Sequence, residues 1–145
     1  MTQEEKQLLL KDLCARIPYD TLVQLNPGAY NKPETCLLCG IDGEEVYLNV
    51  DSDPFRINNI KPYLRPMSSM TEEEKKKLKE ETCPNGTGLF NEHYLICPVN
   101  HYGEYISFEF MSDIINWLNA HHFDYRGLIE KGLALEAPEG MYKTE

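Results

Sequence analysis

The segment Cys36-Leu37-Leu38-Cys39-Gly40 has the spacing and the trailing glycine of half a zinc site. Zinc takes four ligands from thiolates and imidazoles, so the other half would be Cys97 with His101 in CPVNH, or Cys83 with His93. A second CxxC pair is missing. The two leucines between the cysteines read as a buried strand, in which side chains three apart point to opposite faces. Cysteine is also among the residue types most often found buried. Buried thiols are the favoured reading, so no metal site and no cofactor are expected, and Cys36, Cys39, Cys97 and His101 are the residues from which a metal site would have to be built. A redox role would need a helix N-terminus to lower a thiol pKa, and nothing after Gly40 reads as a helix.

His121 and His122 are adjacent on an expected helix, so their side chains diverge by about 100° and cannot meet on one ion. Histidines in a last helical turn instead suit the free carbonyls and the dipole there. A general base at His121 or His122 beside Asp124 would need a pocket around it. Tyr63 and Arg65 in KPYLRP, with Tyr125 and Arg126 in the FDYR corner, combine the residue types enriched at binding hot spots. The candidate contact residues are therefore Tyr63, Arg65, His121, His122, Asp124, Tyr125 and Arg126. The alternative is that each arginine pairs with an acid and each tyrosine seals the edge of a core. No Walker loop, GxGxxG, HExxH or GxSxG is present.

With 145 residues and a net charge of −10, the chain fits one domain and does not suit nonspecific binding to nucleic acid or anionic membrane. It has no apolar run of about 20 residues, and MTQEEKQLLLKDL lacks a basic leader region, so a cytoplasmic protein with no membrane partner is expected. Five cysteines are an odd number and read as reduced thiols.

The elements that must position these side chains read as an α+β domain. Thr2 with Glu5 forms a capping box for an amphipathic helix within residues 1–17, with Leu9, Leu10, Leu13, Cys14 and Ile17 on one face, Asp12 largely elsewhere, and Pro18 ending it. Residues 20–66 change to strand period: TLVQLN, TCLLCGI, EEVYLNV and PFRINNI, at spacings that suit antiparallel hairpins. A curved antiparallel sheet or a small SH3-like barrel is expected, with Pro62 and Pro66 forcing an extended passage after it. Thr71 with Glu74 caps a helix over 71–82 so polar that it reads as a solvated surface connector. A hairpin is expected over 89–110, turning at Asn100 to Gly103. Residues 112–137 then read as a helix capped by Ser112 or Asp113, a second short helix capped by Asp124 and stopped by Gly132, and a tail strand, all packed on the sheet.

Three stretches, EEKQLLLKDLCARIPY (4–19), KPYLRPMSSMTEEE (61–74) and INWLNAHHFDYRGLIEKGLALEAPEGMY (115–142), resemble a widespread group of small uncharacterised proteins of gut anaerobic bacteria, their prophages and their phages. The resemblance implies a bacterial or phage cytoplasmic origin and a shared scaffold. It brings no activity and no catalytic residue with it. The missing catalytic signatures favour a noncatalytic binding or regulatory protein acting through an unidentified protein or a small ligand. The alternatives are a small enzyme using His93, His101, His121 or His122 with nearby acids, an acidic nucleic-acid mimic, or a small zinc-binding protein.

Overall fold

A computed structural model describes residues 1–26, 32–82 and 108–142. The chain is α+β. Helix α1, Gln3–Arg16, starts at the expected capping box: the Glu5 amide donates to the Thr2 hydroxyl and the Thr2 amide to the Glu5 carboxylate. A 3-10 turn over Ile17–Tyr19 follows, with Pro18 in its first positions, where a missing N–H costs nothing.

Four antiparallel strands come next: β1 (Leu22–Leu25), β2 (Glu34–Asp42), β3 (Glu45–Leu48) and β4 (Phe55–Arg56). Alternation sends Val23, Leu25, Cys36, Leu38, Val46 and Leu48 to one face, where they meet Leu9 and Leu13 of α1. The INN of PFRINNI is not strand. Ile57–Asn59 form a 3-10 turn that delivers the chain into β5, Ile60–Pro66.

β5 is the hub of the sheet rather than a passage beyond it. It pairs antiparallel with β1, and parallel with β6 (Phe123–Asp124) and β7 (Leu135–Glu136). The strand order is β4-β3-β2-β1-β5-β6 with β7 on β5, so the sheet is open and mixed instead of closed into a barrel. Prolines usually exclude a central strand because they cannot donate to a ladder. Here both are tolerated because odd-numbered residues of β5 face the β1 edge, as the Asn26 to Asn59 bond sets the register. Pro62 and Pro66 therefore turn their missing donors to the other edge, where β7 pairs with only two residues.

Helix α2, Glu72–Thr82, has its capping box, with Thr71 and Glu74 bonded reciprocally. It is not a solvated connector, however. Glu74 and Leu78 are buried, and Leu78 joins Met70, Ile114, Trp117, Leu118 and Phe123 in a second apolar cluster beside α3. α3 spans Phe108–Ala120 and so begins before the expected caps at Ser112 or Asp113. The rest of the hairpin expected over 89–110 lies outside the described residues. Its last residues are helical because so short an alternation of apolar and polar fits either period.

The second C-terminal helix is a single turn. Asp124 spends both carboxylate oxygens on the amides of Leu128 and Ile129. Gly132, at φ 73°, then closes the turn through bonds from Gly132 to Ile129 and from Leu133 to Leu128, the pairing of a Schellman motif. A helix capped from within after one turn cannot recover the cost of nucleation by growing. No helix among the described residues is long and apolar enough to cross a membrane.

Candidate functional site

The described structure brings the ends of α1, β1, β5 and α3 together at one corner. α1 contributes an ion pair that sequence period alone misplaces. Asp12 and Arg16 are fully buried, one turn apart, with Nε to Oδ2 at 2.8 Å and Nη2 to Oδ1 at 3.1 Å. Arg16 Nη2 also donates to the Phe123 carbonyl at 2.7 Å, while Nη1 is buried with no partner. Arg126 brings Nε to 3.2 Å from Asp12 Oδ1, without the alignment of a hydrogen bond. Both guanidiniums lie over the Tyr125 ring, at 5.4 and 4.9 Å from its centre, and Tyr125 donates its hydroxyl to Asn119 at 2.9 Å. Tyr125 and Arg126 thus behave as the alternative reading expected, as packing and ion-pair residues, and Asp124 is a cap.

Arg65 is also paired. Its two Nη atoms meet the two carboxylate oxygens of Glu74 at 2.7 Å each, and its plane lies over Phe123 at 4.2 Å. Burial works to raise the Glu74 pKa, but the hydrogen bonds from Arg65 and Thr71 outweigh it and hold the carboxyl below its usual range. The Arg65 amide donates to the His122 carbonyl at 2.7 Å, which starts the β5–β6 pairing.

His121 and His122 part company as their adjacency requires. His121 stacks on Trp117 at 3.8 Å, and its Nδ1 lies 2.9 Å from the Trp117 carbonyl, so Nδ1 carries the proton. His122 follows α3 at φ 64°, the left-handed position that usually holds glycine, and stacks on Tyr142 at 3.6 Å. Only 8% of it is exposed, and Nδ1 is buried without a partner. Burial, followed by the nearby charge of Arg16 and lesser effects of His121 and Arg65, lowers its pKa to about 4. His122 is neutral at physiological pH.

Tyr142 is the residue that the sequence reading missed, and it has the least expected position. In the register of β1 and β5, Leu22 and Tyr63 would form the next pair after Val23 and Pro62. The Tyr142 hydroxyl takes that place. It accepts from the Leu22 amide at 2.9 Å and lies 2.8 Å from the Tyr63 carbonyl and 3.3 Å from the Leu22 carbonyl. Tyr63 therefore enters the site through its backbone. Burial pushes the phenol up to about 12, against the pull of the Leu22 amide.

These groups surround a pocket of about 440 Å³. Of the candidates from sequence, Arg65, His121 and His122 line it; Tyr19, Asp20 and Tyr142 are the functional-type residues not foreseen. Asp20 sits at φ 53°, and it and His122 are the only non-glycine residues at positive φ among those described. Arg65 and Tyr142 also line an adjoining cleft of about 830 Å³ beside the 136–140 segment. No protein family, curated protein or solved structure matches this chain.

The cysteines lie away from this corner. Cys36 is buried in β2, and Cys39 is exposed at the bulge where the β2–β3 register shifts. Burial, with the Glu34 carboxylate adding to it, raises the Cys36 pKa, which is the reverse of what thiolate chemistry needs. Cys14 is exposed too. No group of three metal-ligating side chains occurs among the described residues, and Cys83, His93, Cys97 and His101 lie outside them.

Proposed function

We propose that this is a noncatalytic binding or regulatory protein whose contact site is the pocket bounded by Asp20, Arg65, His121, His122 and Tyr142. One observation carries the reading: among the described residues, the two non-glycine ones held in the left-handed region both line this pocket. Each of them ends a helix, Asp20 the 3-10 turn after α1 and His122 the helix α3, so the pocket lies where two helix ends turn the chain toward each other. The volume is that of a small-molecule site, with apolar walls from Leu22, Leu37 and Met141 and a few polar groups. The three stretches that carry the bacterial and phage resemblance supply most of the lining, from Tyr19 through Arg65 to His121, His122 and Tyr142. This supports a shared scaffold of that origin with the pocket as its common part.

The charges argue against catalysis. Arg65 is compensated by Glu74 and Arg16 by Asp12, while His122 is held neutral and Tyr142 keeps its proton. None of these is poised to exchange a proton near neutral pH. A second reading, a small enzyme, rests on His121: with Nδ1 fixed on a carbonyl, the neutral ring keeps Nε2 as an acceptor, the arrangement of a general base. A screen of a small-molecule library by protein-observed NMR tests the proposal. It expects ligands that shift Tyr142, His122 and Trp117 together and are recovered unchanged. Conversion of a ligand, abolished by His121→Gln in a protein that still folds, would replace the proposal with the enzyme reading.

A further inference from the structure

The hydrogen-bonding groups left open in this pocket define the ligand it suits. Arg65 gives one N–H of each Nη to an oxygen of Glu74, which compensates its charge, and Tyr142 spends its hydroxyl inside the sheet. Asp20 is exposed, and its carboxylate has no ion pair or hydrogen bond among the described residues. It is the one uncompensated formal charge among the described groups that line the pocket. His121 has committed Nδ1–H to the Trp117 carbonyl, which in the neutral form of the ring leaves a lone pair at Nε2. The open groups thus include two acceptors, and the one that carries a full, uncompensated charge is the Asp20 carboxylate. Leu22, Leu37 and Met141 supply apolar wall and Tyr19 an aromatic one, in a volume far larger than an ammonium head needs. A cation on a short hydrocarbon stem matches both features, and aromatic faces add to its attraction. The net charge of −10 raises the local concentration of cations around the whole molecule.

We propose that the pocket binds a primary alkylammonium group, with the Asp20 carboxylate and His121 Nε2 accepting its hydrogen bonds and Leu22, Leu37 and Met141 covering its stem. The proposal rests on the reading of this corner as a binding site and assigns the chemistry of its ligand. A free amine and a lysine side chain present the same head group, so both belong in the test.

Trp117 reports occupancy, because it stacks on the imidazole that the ammonium would contact and is the only tryptophan in the chain. The full-length protein is titrated at fixed pH and ionic strength with n-butylammonium, n-butanol, butyrate and N-acetyl-lysine amide, following indole fluorescence and the Trp117 indole N–H resonance. The expected result is saturable binding of butylammonium or of the blocked lysine, at least tenfold tighter than butanol and butyrate. The stronger of the two identifies the source. Asp20→Asn should weaken that binding tenfold or more with no loss of thermal stability, since asparagine tolerates the left-handed region as aspartate does. Butanol or butyrate binding as well as the amines, or an Asp20→Asn protein that binds them unchanged, would overturn the ammonium assignment and leave the pocket standing. Failure of all four to perturb Trp117 would overturn both.

Discussion

Replacing Tyr142 with phenylalanine removes one oxygen and tests whether that oxygen is part of the sheet. The ring can still stack on His122, so the change isolates the hydroxyl, which serves the Leu22 amide at 2.9 Å and the Tyr63 carbonyl at 2.8 Å. A buried polar group left without a partner costs about 1–3 kcal/mol. Two such groups at a joint that is only partly buried give about 2 kcal/mol, taking the low end for each. At about 3 °C per kcal/mol for a chain of this size, the melting temperature should fall by about 6 °C. Circular dichroism measures that fall, and hydrogen exchange reports the joint directly, since the Leu22 amide should lose protection while that of Gln24, the next residue of β1 to face β5, keeps it. Leu22 and Tyr63 are next in register, so the strands have an alternative: closing on each other. An unchanged melting temperature with a protected Leu22 amide would mean that they do so, and that the phenol is not needed as a rung.

Three further outcomes follow from the buried charges and thiols. The His122 pKa is about 4 in the folded chain against 6.5 ordinarily, so the unfolded state binds its proton more readily. The resulting stability is full above pH 6.5 and is lost as pH falls through 4. At 1.36 kcal/mol per unit, about 3 kcal/mol disappears over that window; urea midpoints measured from pH 7 to 4 should show it, with a flatter profile in His122→Asn. Arg65→Met leaves the Glu74 carboxylate buried and unpaired, at a cost of about 3 kcal/mol in urea unfolding, and Glu74→Gln in the same background should recover part of it. Peptide mapping after maleimide treatment of the native protein should find Cys39 and Cys14 labelled and Cys36 unlabelled until denaturant is added.

Features decided within a few residues were legible in the sequence. Both capping boxes, the four antiparallel strands and the inability of His121 and His122 to converge follow from local spacing, and each stands in the structure. The polar residues were misjudged where their partners are distant in sequence. Asp12 and Glu74 look solvated by helical period, yet Asp12 receives Arg126 and Glu74 receives Arg65. An Asp–Arg pair four apart at Asp12 and Arg16 was the available signal, although such pairs ordinarily stand on a helix surface. Pro62 and Pro66 concealed the hub of the sheet, because tolerance of proline depends on which edge its nitrogen faces. Nothing near Tyr142 marks it as a strand substitute, since the gap that it fills is defined by Leu22 and Tyr63.

The Asp12–Arg16 pair also bears on the order of folding. The two residues are one helical turn apart and can meet in an isolated helix, still hydrated. The Phe123 carbonyl that takes Arg16 Nη2 lies 107 residues further along the chain, and Arg126 arrives with it. If α1 packed against the sheet before that corner formed, it would bury a guanidinium and a carboxylate short of their partners, a cost of several kcal/mol. We expect α1 to dock in the same kinetic step as the α3–β6 corner, after the local hairpins. Pulsed hydrogen exchange during refolding would show the α1 and α3 amides gaining protection together, and earlier protection of α1 alone would contradict this order.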